Sequence, residues 1–253
     1  MTFWLAVYTL WQRELVRFYR QPSRVVGAVG TALLFWLVLG TGISGISGTD
    51  YRAYFFPGTI VMSVMFTCIF SNASIIEDRQ AGFLQSVMVA PVSRAAIVMG
   101  KILGGATLST LQGLILLPFA GTVGASFQPG SAFGLVLSLF LLSFVINAGG
   151  FWLAWKIESS AGFHTIMNMV LLPLWMASGA VFAASNSTWM RVFMTINPFT
   201  YGVAGVRRGL FPTLDLSQLP SQPLCLIVLI GFSLFFYALS SWVVGKSGER
   251  TSK

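Results

Sequence analysis

Six predominantly apolar runs divide the chain, at about 25–43, 54–75, 98–123, 131–155, 163–184 and 223–245. Each is close to the ~20 residues that an α-helix needs to cross the hydrocarbon core of a bilayer. Lipid offers no partner to a backbone N–H or C=O, so apolar runs of this length cross it as helices. The expected fold is an all-α polytopic membrane protein with six transmembrane helices. Composition excludes the soluble alternative. The chain is 55% hydrophobic and 9% charged, with a mean hydropathy of +0.79, whereas a soluble domain carries about 25% charge. The third run is the least regular, because it holds Gln112 and has Lys101 near its start.

Basic residues collect on the cytoplasmic side of membrane proteins. With both termini cytoplasmic, the inner segments hold 11 of the 15 Lys and Arg residues and the outer loops hold four, Arg52, Arg191, Arg207 and Arg208. The inverted topology violates this bias. The net charge of +8 therefore follows from topology and does not point to nucleic acid, since no basic run with interleaved aromatics exists. No linker or internal repeat divides the chain, so residues 1–253 are read as one membrane domain.

Before the first run, Phe3, Trp4, Val7, Leu10, Trp11, Leu15 and Phe18 recur at helical spacing, with Arg13, Arg17 and Arg20 on another face. This pattern predicts an amphipathic helix over 1–22 lying in the cytoplasmic interface, and Pro22 permits a turn into the first span. A passive anchor and a gating element fit it equally. Segment 185–222 holds short pieces, with room for re-entrant or interfacial helices.

Charge is concentrated at 77–94, between the second and third runs: Glu77, Asp78, Arg79 and Arg94, with Lys101 just beyond. Phe83, Leu84, Val87 and Met88 share helical spacing, and Pro91 ends the pattern. A short amphipathic helix that docks a partner is one reading. A juxtamembrane helix solvated by headgroups is the other.

Catalytic chemistry is sparse. On this topology none of the seven carboxylates lies deep in a span, which argues against an internal proton or ion relay. Gly245-Lys246-Ser247 lacks the earlier glycine of a phosphate-binding loop and follows no strand. The single histidine, His164, has no visible catalytic partner, and no metal-ligand spacing occurs. Cys68 and Cys225 read as small packing residues. Gly100 and Gly104 form a GxxxG pattern, for close helix packing or a dimer seam. Asn72, Ser74, Gln112, Asn147 and Asn168 suit helix–helix hydrogen bonds as well as they suit a polar path.

Residues 77–105, EDRQAGFLQSVMVAPVSRAAIVMGKILGG, resemble the signature region of ABC-2 type transporter permeases. The resemblance is carried by Glu77, Arg79, Gly82, Leu84, Val87, Val89, Pro91, Ser93, Gly100 and Lys101. Gln85 departs from the acidic residue frequent there. Ile196–Phe211, INPFTYGVAGVRRGLF, is similar to the segment before the last span of that family, through Asn197, Pro198, Phe199, Thr200, Tyr201 and Arg207. Met167–Phe182 is similar to its fifth span. The resemblance covers most of the chain.

It implies a permease subunit of an ABC exporter in the bacterial plasma (inner) membrane, paired as a homodimer and driven by a separate cytoplasmic ATP-binding-cassette ATPase. The chain itself is then no enzyme and holds no cofactor; ATP and Mg sit on the partner. The 77–94 loop becomes a cytoplasmic coupling helix. Phe83, Leu84, Val87 and Met88 are expected to face a groove of the ATPase, with Glu77, Asp78, Arg79, Gly82, Gln85, Pro91 and Arg94 around them. Asn197, Pro198, Tyr201 and Arg207 belong to an outer segment above the path. The cargo implied is an amphipathic or hydrophobic molecule of the drug, lipid or glycan class. The alternative is a stand-alone secondary transporter or channel.

Overall fold

The computed structural model describes residues 3–47, 50–89, 92–126, 128–182, 187–213 and 216–249. Among these residues ten α-helices follow in chain order: α1 (Phe3–Tyr19), α2 (Pro22–Ser47), α3 (Tyr51–Gln80), α4 (Phe83–Val89), α5 (Arg94–Leu114), α6 (Pro129–Lys156), α7 (Ser160–Trp175), α8 (Thr188–Ile196), α9 (Pro198–Leu210) and α10 (Gln222–Glu249). A 3₁₀ turn, Leu117–Val123, extends α5, and a π turn, Met176–Ala180, extends α7. Among the described residues there is no strand.

Among the described residues five segments are long and apolar enough to cross a membrane: Pro22–Gly45, Tyr51–Gln80, Arg94–Val123, Pro129–Lys156 and Gln222–Lys246. They coincide with five of the six expected runs. The run at 163–184 differs. There α7 has 16 residues, about 24 Å of helix against a hydrocarbon core of roughly 30 Å. Its π turn contains Gly179, whose φ of 85° breaks the helix.

The core sits around α3, which packs on α2, α5, α6 and α7. Its middle is closed on all sides, with Ile60, Val61, Met62, Val64 and Met65 fully buried. The outermost helices, α2 and α10, keep one face outward, exposing Leu34, Phe35, Val38, Ile227, Leu234 and Phe235. An apolar outer face is what a bilayer solvates.

Two short helices differ in their surroundings. The α8 helix buries no residue and exposes Trp189, Val192 and Ile196. By contrast α9 is nearly enclosed by α6 and α10. Its glycines permit this: a Cβ on Gly205 or Gly209 would collide with Ser138 or Leu135 of α6.

Candidate functional site

The charged stretch expected to face outward is tied into the bundle. Helix α3 continues to Gln80 and carries Glu77, Asp78 and Arg79 on its last turns. Asp78 is the hub of an ion cluster. Arg13 grips its two oxygens with a fork, both contacts at 2.8 Å, and Arg17 adds a third at 2.7 Å. The Lys101 ammonium donates to Asp78 and, at 2.6 Å, to Glu14. Arg17 also pairs with Glu77, which accepts from Arg24 at 2.9 Å. Glu14 takes further bonds from Arg13 at 3.2 Å and from the Ser74 hydroxyl at 3.3 Å. Four cations from α1, α2 and α5 thus meet three carboxylates from α1 and α3.

Asp78 and Glu14 are 3% and 4% exposed and Lys101 is 4% exposed. Asp78 is buried at the end of α3 and not deep in it, because that helix runs five residues past the expected end of its apolar run. A carboxylate survives such burial only when paired and hydrogen-bonded. The Asp78 bond in turn raises the Arg13 guanidinium above its already high ordinary pKa.

Close approach of α1 to α5 makes the cluster possible. A Cβ on Gly100 would lie 2.8 Å from the Leu10 Cβ, and one on Gly104 would lie 2.7 Å from the Glu14 Cβ. The GxxxG pattern is thus filled by α1 of the same chain. Ser93 caps α5, its hydroxyl accepting from the Ala96 amide at 3.3 Å, and Trp11 donates to Thr107 at 3.1 Å.

Between α3 and α5, Gly82 takes a φ of 75°, which reverses the chain into α4. The apolar face of α4 is turned toward the bundle. Leu84 is fully buried, and Phe83 and Val87 pack against the same core. The Arg13 guanidinium lies 3.6 Å from the Phe83 ring centroid, so α1 touches α4 directly. Leu84 is thus covered by the chain's own core, whereas Phe83 and Val87 are half-buried against it. Ala81 and Ser86 are the exposed residues. The side chains of Gln85 and Met88, and Pro91 entirely, lie outside the described residues.

The remaining expected rim charges cap neighbouring helices. Arg79 donates to the Trp155 carbonyl at 2.7 Å and to the Ile157 carbonyl. Gln80 donates to the Glu158 carbonyl at 2.8 Å. Arg94 donates to the Gly245 carbonyl near the end of α10 at 2.5 Å. Carbonyls at a helix end lack intrahelical donors and carry partial negative charge, so a guanidinium suits them. One end of the bundle is thereby fastened across α1, α3, α4, α5, α6 and α10.

The second expected constellation gathers at the break in α7. Asn197 caps α9, its side-chain oxygen accepting from Phe199 N at 3.0 Å, and Pro198 opens that helix. The amide of Asn197 donates to the Leu174 carbonyl at 2.6 Å. Arg207 donates to the Gly179 carbonyl at 3.1 Å and the Tyr54 carbonyl at 3.0 Å. The Tyr54 hydroxyl reaches the same Gly179 oxygen at 3.0 Å, and Tyr51 donates to the Val181 oxygen. Tyr201 ties α9 to α8 through the Thr195 carbonyl at 2.7 Å. Broken helix within a membrane protein is tolerated only where the freed carbonyls are satisfied, and these side chains satisfy them.

Most of the intramembrane polar residues pair between helices. Asn147 donates to the Ser143 carbonyl at 2.8 Å and to the Cys68 sulfur at 3.1 Å, while Asn72 donates to the Cys68 carbonyl at 2.8 Å and to Asn147 at 3.3 Å. Gln112 donates to the Val25 carbonyl at 2.8 Å. His164 packs beside Phe70, ring centroids 5.7 Å apart. Among the described residues no cluster of His, Cys, Asp and Glu suits a metal ion.

Glu14, Lys101, Arg13, Arg17 and Arg24 were not among the expected site residues. Lys101 carried the available signal, since an ammonium inside a small-residue apolar helix requires a counter-ion.

These features define an integral membrane protein whose spanning helices are clamped at one end by charge. The family model for the ABC-2 type transporter matches residues 6–211, and the chain belongs to that family. Permeases of this family are membrane transport subunits that normally work with an ATP-binding subunit. The chain is 23% identical to the inner membrane transport permease YadH of Escherichia coli K12, over 94% of this chain and 95% of that protein. It is 25% identical to a Cyanophora paradoxa protein named as a transport permease, ycf38, over 93% and 89% of the two chains. It is 24% identical to a Mycobacterium tuberculosis protein named "Probable doxorubicin resistance ABC transporter permease protein DrrC", over 77% and 73%.

Proposed function

We propose that this chain is the permease half of an ATP-driven exporter, working as a homodimer in a bacterial inner membrane with both termini cytoplasmic. The broken α7 and its π turn serve as the sixth span. The ATPase docks at the α3–α4–α5 turn, and the cargo is an amphipathic or hydrophobic molecule moved outward. Family membership supports the ATP-driven reading, and the name of the DrrC relative supports the cargo class.

The observation that carries the coupling role is the way α4 is held. Leu84 roots it in the core, Phe83 lies under Arg13, and Ala81 and Ser86 remain outward. A force applied to that outward side reaches α3 through Gly82, α1 through Arg13, and α5 through Lys101. The contact with the ATPase is then made by the back of α4, with the apolar side serving as its root. Glu77, Asp78, Arg79 and Arg94 stiffen the lever from within, and ATP with Mg remains on the partner.

The secondary-transporter alternative would draw on Asp78 and Glu14 as proton carriers. Their pairing with Arg13, Arg17 and Lys101 weighs against it, because it commits both carboxylates to a clamp between α1, α3 and α5. The deciding experiment co-expresses the chain with its ATPase and measures association and ATP-dependent efflux. Ser86→Asp is expected to insert normally and lose the ATPase. Undiminished association of that variant, or efflux from liposomes holding this chain alone, would sink the reading.

A further inference from the structure

The sharp bend at Arg20–Pro22, where α1 gives way to α2, is flanked by two unlike surfaces. On one side an apolar crevice of about 530 Å³ opens between α1, α2 and α5. Tyr19, Val26, Leu111 and Ile115 line it, and they are 87%, 69%, 51% and 48% exposed. On the other side a groove along α1 is lined by Arg13, Arg17 and Arg20 among polar neighbours. Arg13 and Arg17 are committed to Asp78 and Glu77. Arg20 is exposed, and among the described residues no carboxylate lies within ion-pair distance of it. The ion cluster already holds one cation more than it has carboxylates, so Arg20 adds to a local positive excess.

We infer that this elbow is a binding site for an anionic phospholipid. One acyl chain lies along Val26, Leu111 and Ile115, and the phosphate sits at Arg20. The elbow opens the first spanning segment, Pro22–Gly45, so the crevice meets the bilayer where headgroups give way to chains. Tyr19 suits that level, having an apolar ring and a polar tip. The occupant is argued from charge: a zwitterionic lipid would fill the crevice equally but gain nothing from the excess. This inference does not depend on which subunit α4 engages.

The test is native mass spectrometry of the full chain, released from micelles containing equal phosphatidylglycerol and phosphatidylcholine with matched chains. Anionic adducts are expected to exceed zwitterionic ones about fivefold, as one basic residue at a membrane surface provides. Arg20→Gln should bring the ratio close to one, and Arg20→Lys should keep it. Val26→Trp, a change at an exposed position, should fill the crevice and reduce retention of both lipids. A ratio near one in the unmodified protein, or a ratio unchanged by Arg20→Gln, overturns the site. Displacement of the lipid by inorganic phosphate alone, or loss of a dimer peak in Val26→Trp, overturns it too, in favour of a free-anion site or an interface between two copies.

Discussion

Lys101→Met removes the most enclosed cation of the cluster while keeping its length and packing. The ammonium side chain is 2% exposed and contacts two carboxylates that are each 4% exposed. At an effective dielectric of about 20, an ion pair at contact is worth roughly 5 kcal/mol, and loss of hydration cancels much of it. Asp78 retains the Arg13 fork and Arg17 after the change. Glu14 retains only an Arg13 contact at 3.2 Å and a Ser74 hydroxyl at 3.3 Å, so Glu14 bears the loss. Removing one partner of a buried pair costs about 3–5 kcal/mol. Adding Glu14→Gln takes away the stranded charge, and the double variant should recover at least ~2 kcal/mol relative to the sum of the single changes. The measurement is unfolding of the purified protein in mixed micelles titrated with a denaturing detergent, followed by tryptophan fluorescence. Lys101→Met within about 1 kcal/mol of the parent, or a double variant as unstable as the sum, would refute the argument.

Other changes probe other parts of the structure. Gly104→Leu places a side chain against the Glu14 Cβ, so α1 should lift from α5 and trypsin should cut at Arg17 and Arg20 at a rate at least tenfold higher, on the order of the ~1.4 kcal/mol that a tenfold change represents. Gly179→Ala must hold a φ of 85° and should cost about 1–2 kcal/mol, whereas Gly231→Ala on α10 meets open space and should be neutral or stabilising in the same unfolding assay. Arg207→Gln takes the charged donor from the carbonyls of Gly179 and Tyr54, with Gly179 keeping the Tyr54 hydroxyl, and should lower stability by about 2 kcal/mol, given that bonds from charged donors are worth about 1.5–3 kcal/mol each; Arg207→Lys should recover part of it. Cys68 and Cys225 are buried and should react with a membrane-permeant maleimide only after unfolding.

How the elements were legible depended on how local their causes are. Five spans were readable because length and apolarity act along one segment. The fifth run, 163–184, was readable only in part: its apolar composition continues through Gly179, where the helix breaks. Pro173 remains inside α7, and the break falls at Gly179 instead. The stop at Gly179 is stabilised by Arg207, Tyr54 and Asn197, which are distant in sequence. The α4 helix was readable from the spacing of Phe83, Leu84 and Val87, but that spacing states only that an apolar face exists. It does not say whether the chain's own core or a partner covers it.

The sequence by itself determined the membrane class, most of the spanning segments and the amphipathic start. These follow from hydropathy and its periodicity along one segment. Only the tertiary structure decided the pairing of charge. Glu77, Asp78, Arg79 and Arg94 looked like charge for a partner. Close packing of α1 on Gly100 and Gly104 brings four cations to three carboxylates, and the ends of α6 and α10 take the remaining two guanidinium groups. Electrostatic pairing depends on distance in space, and that distance was set by helix packing across sequence separations as large as 151, as between Arg94 and Gly245.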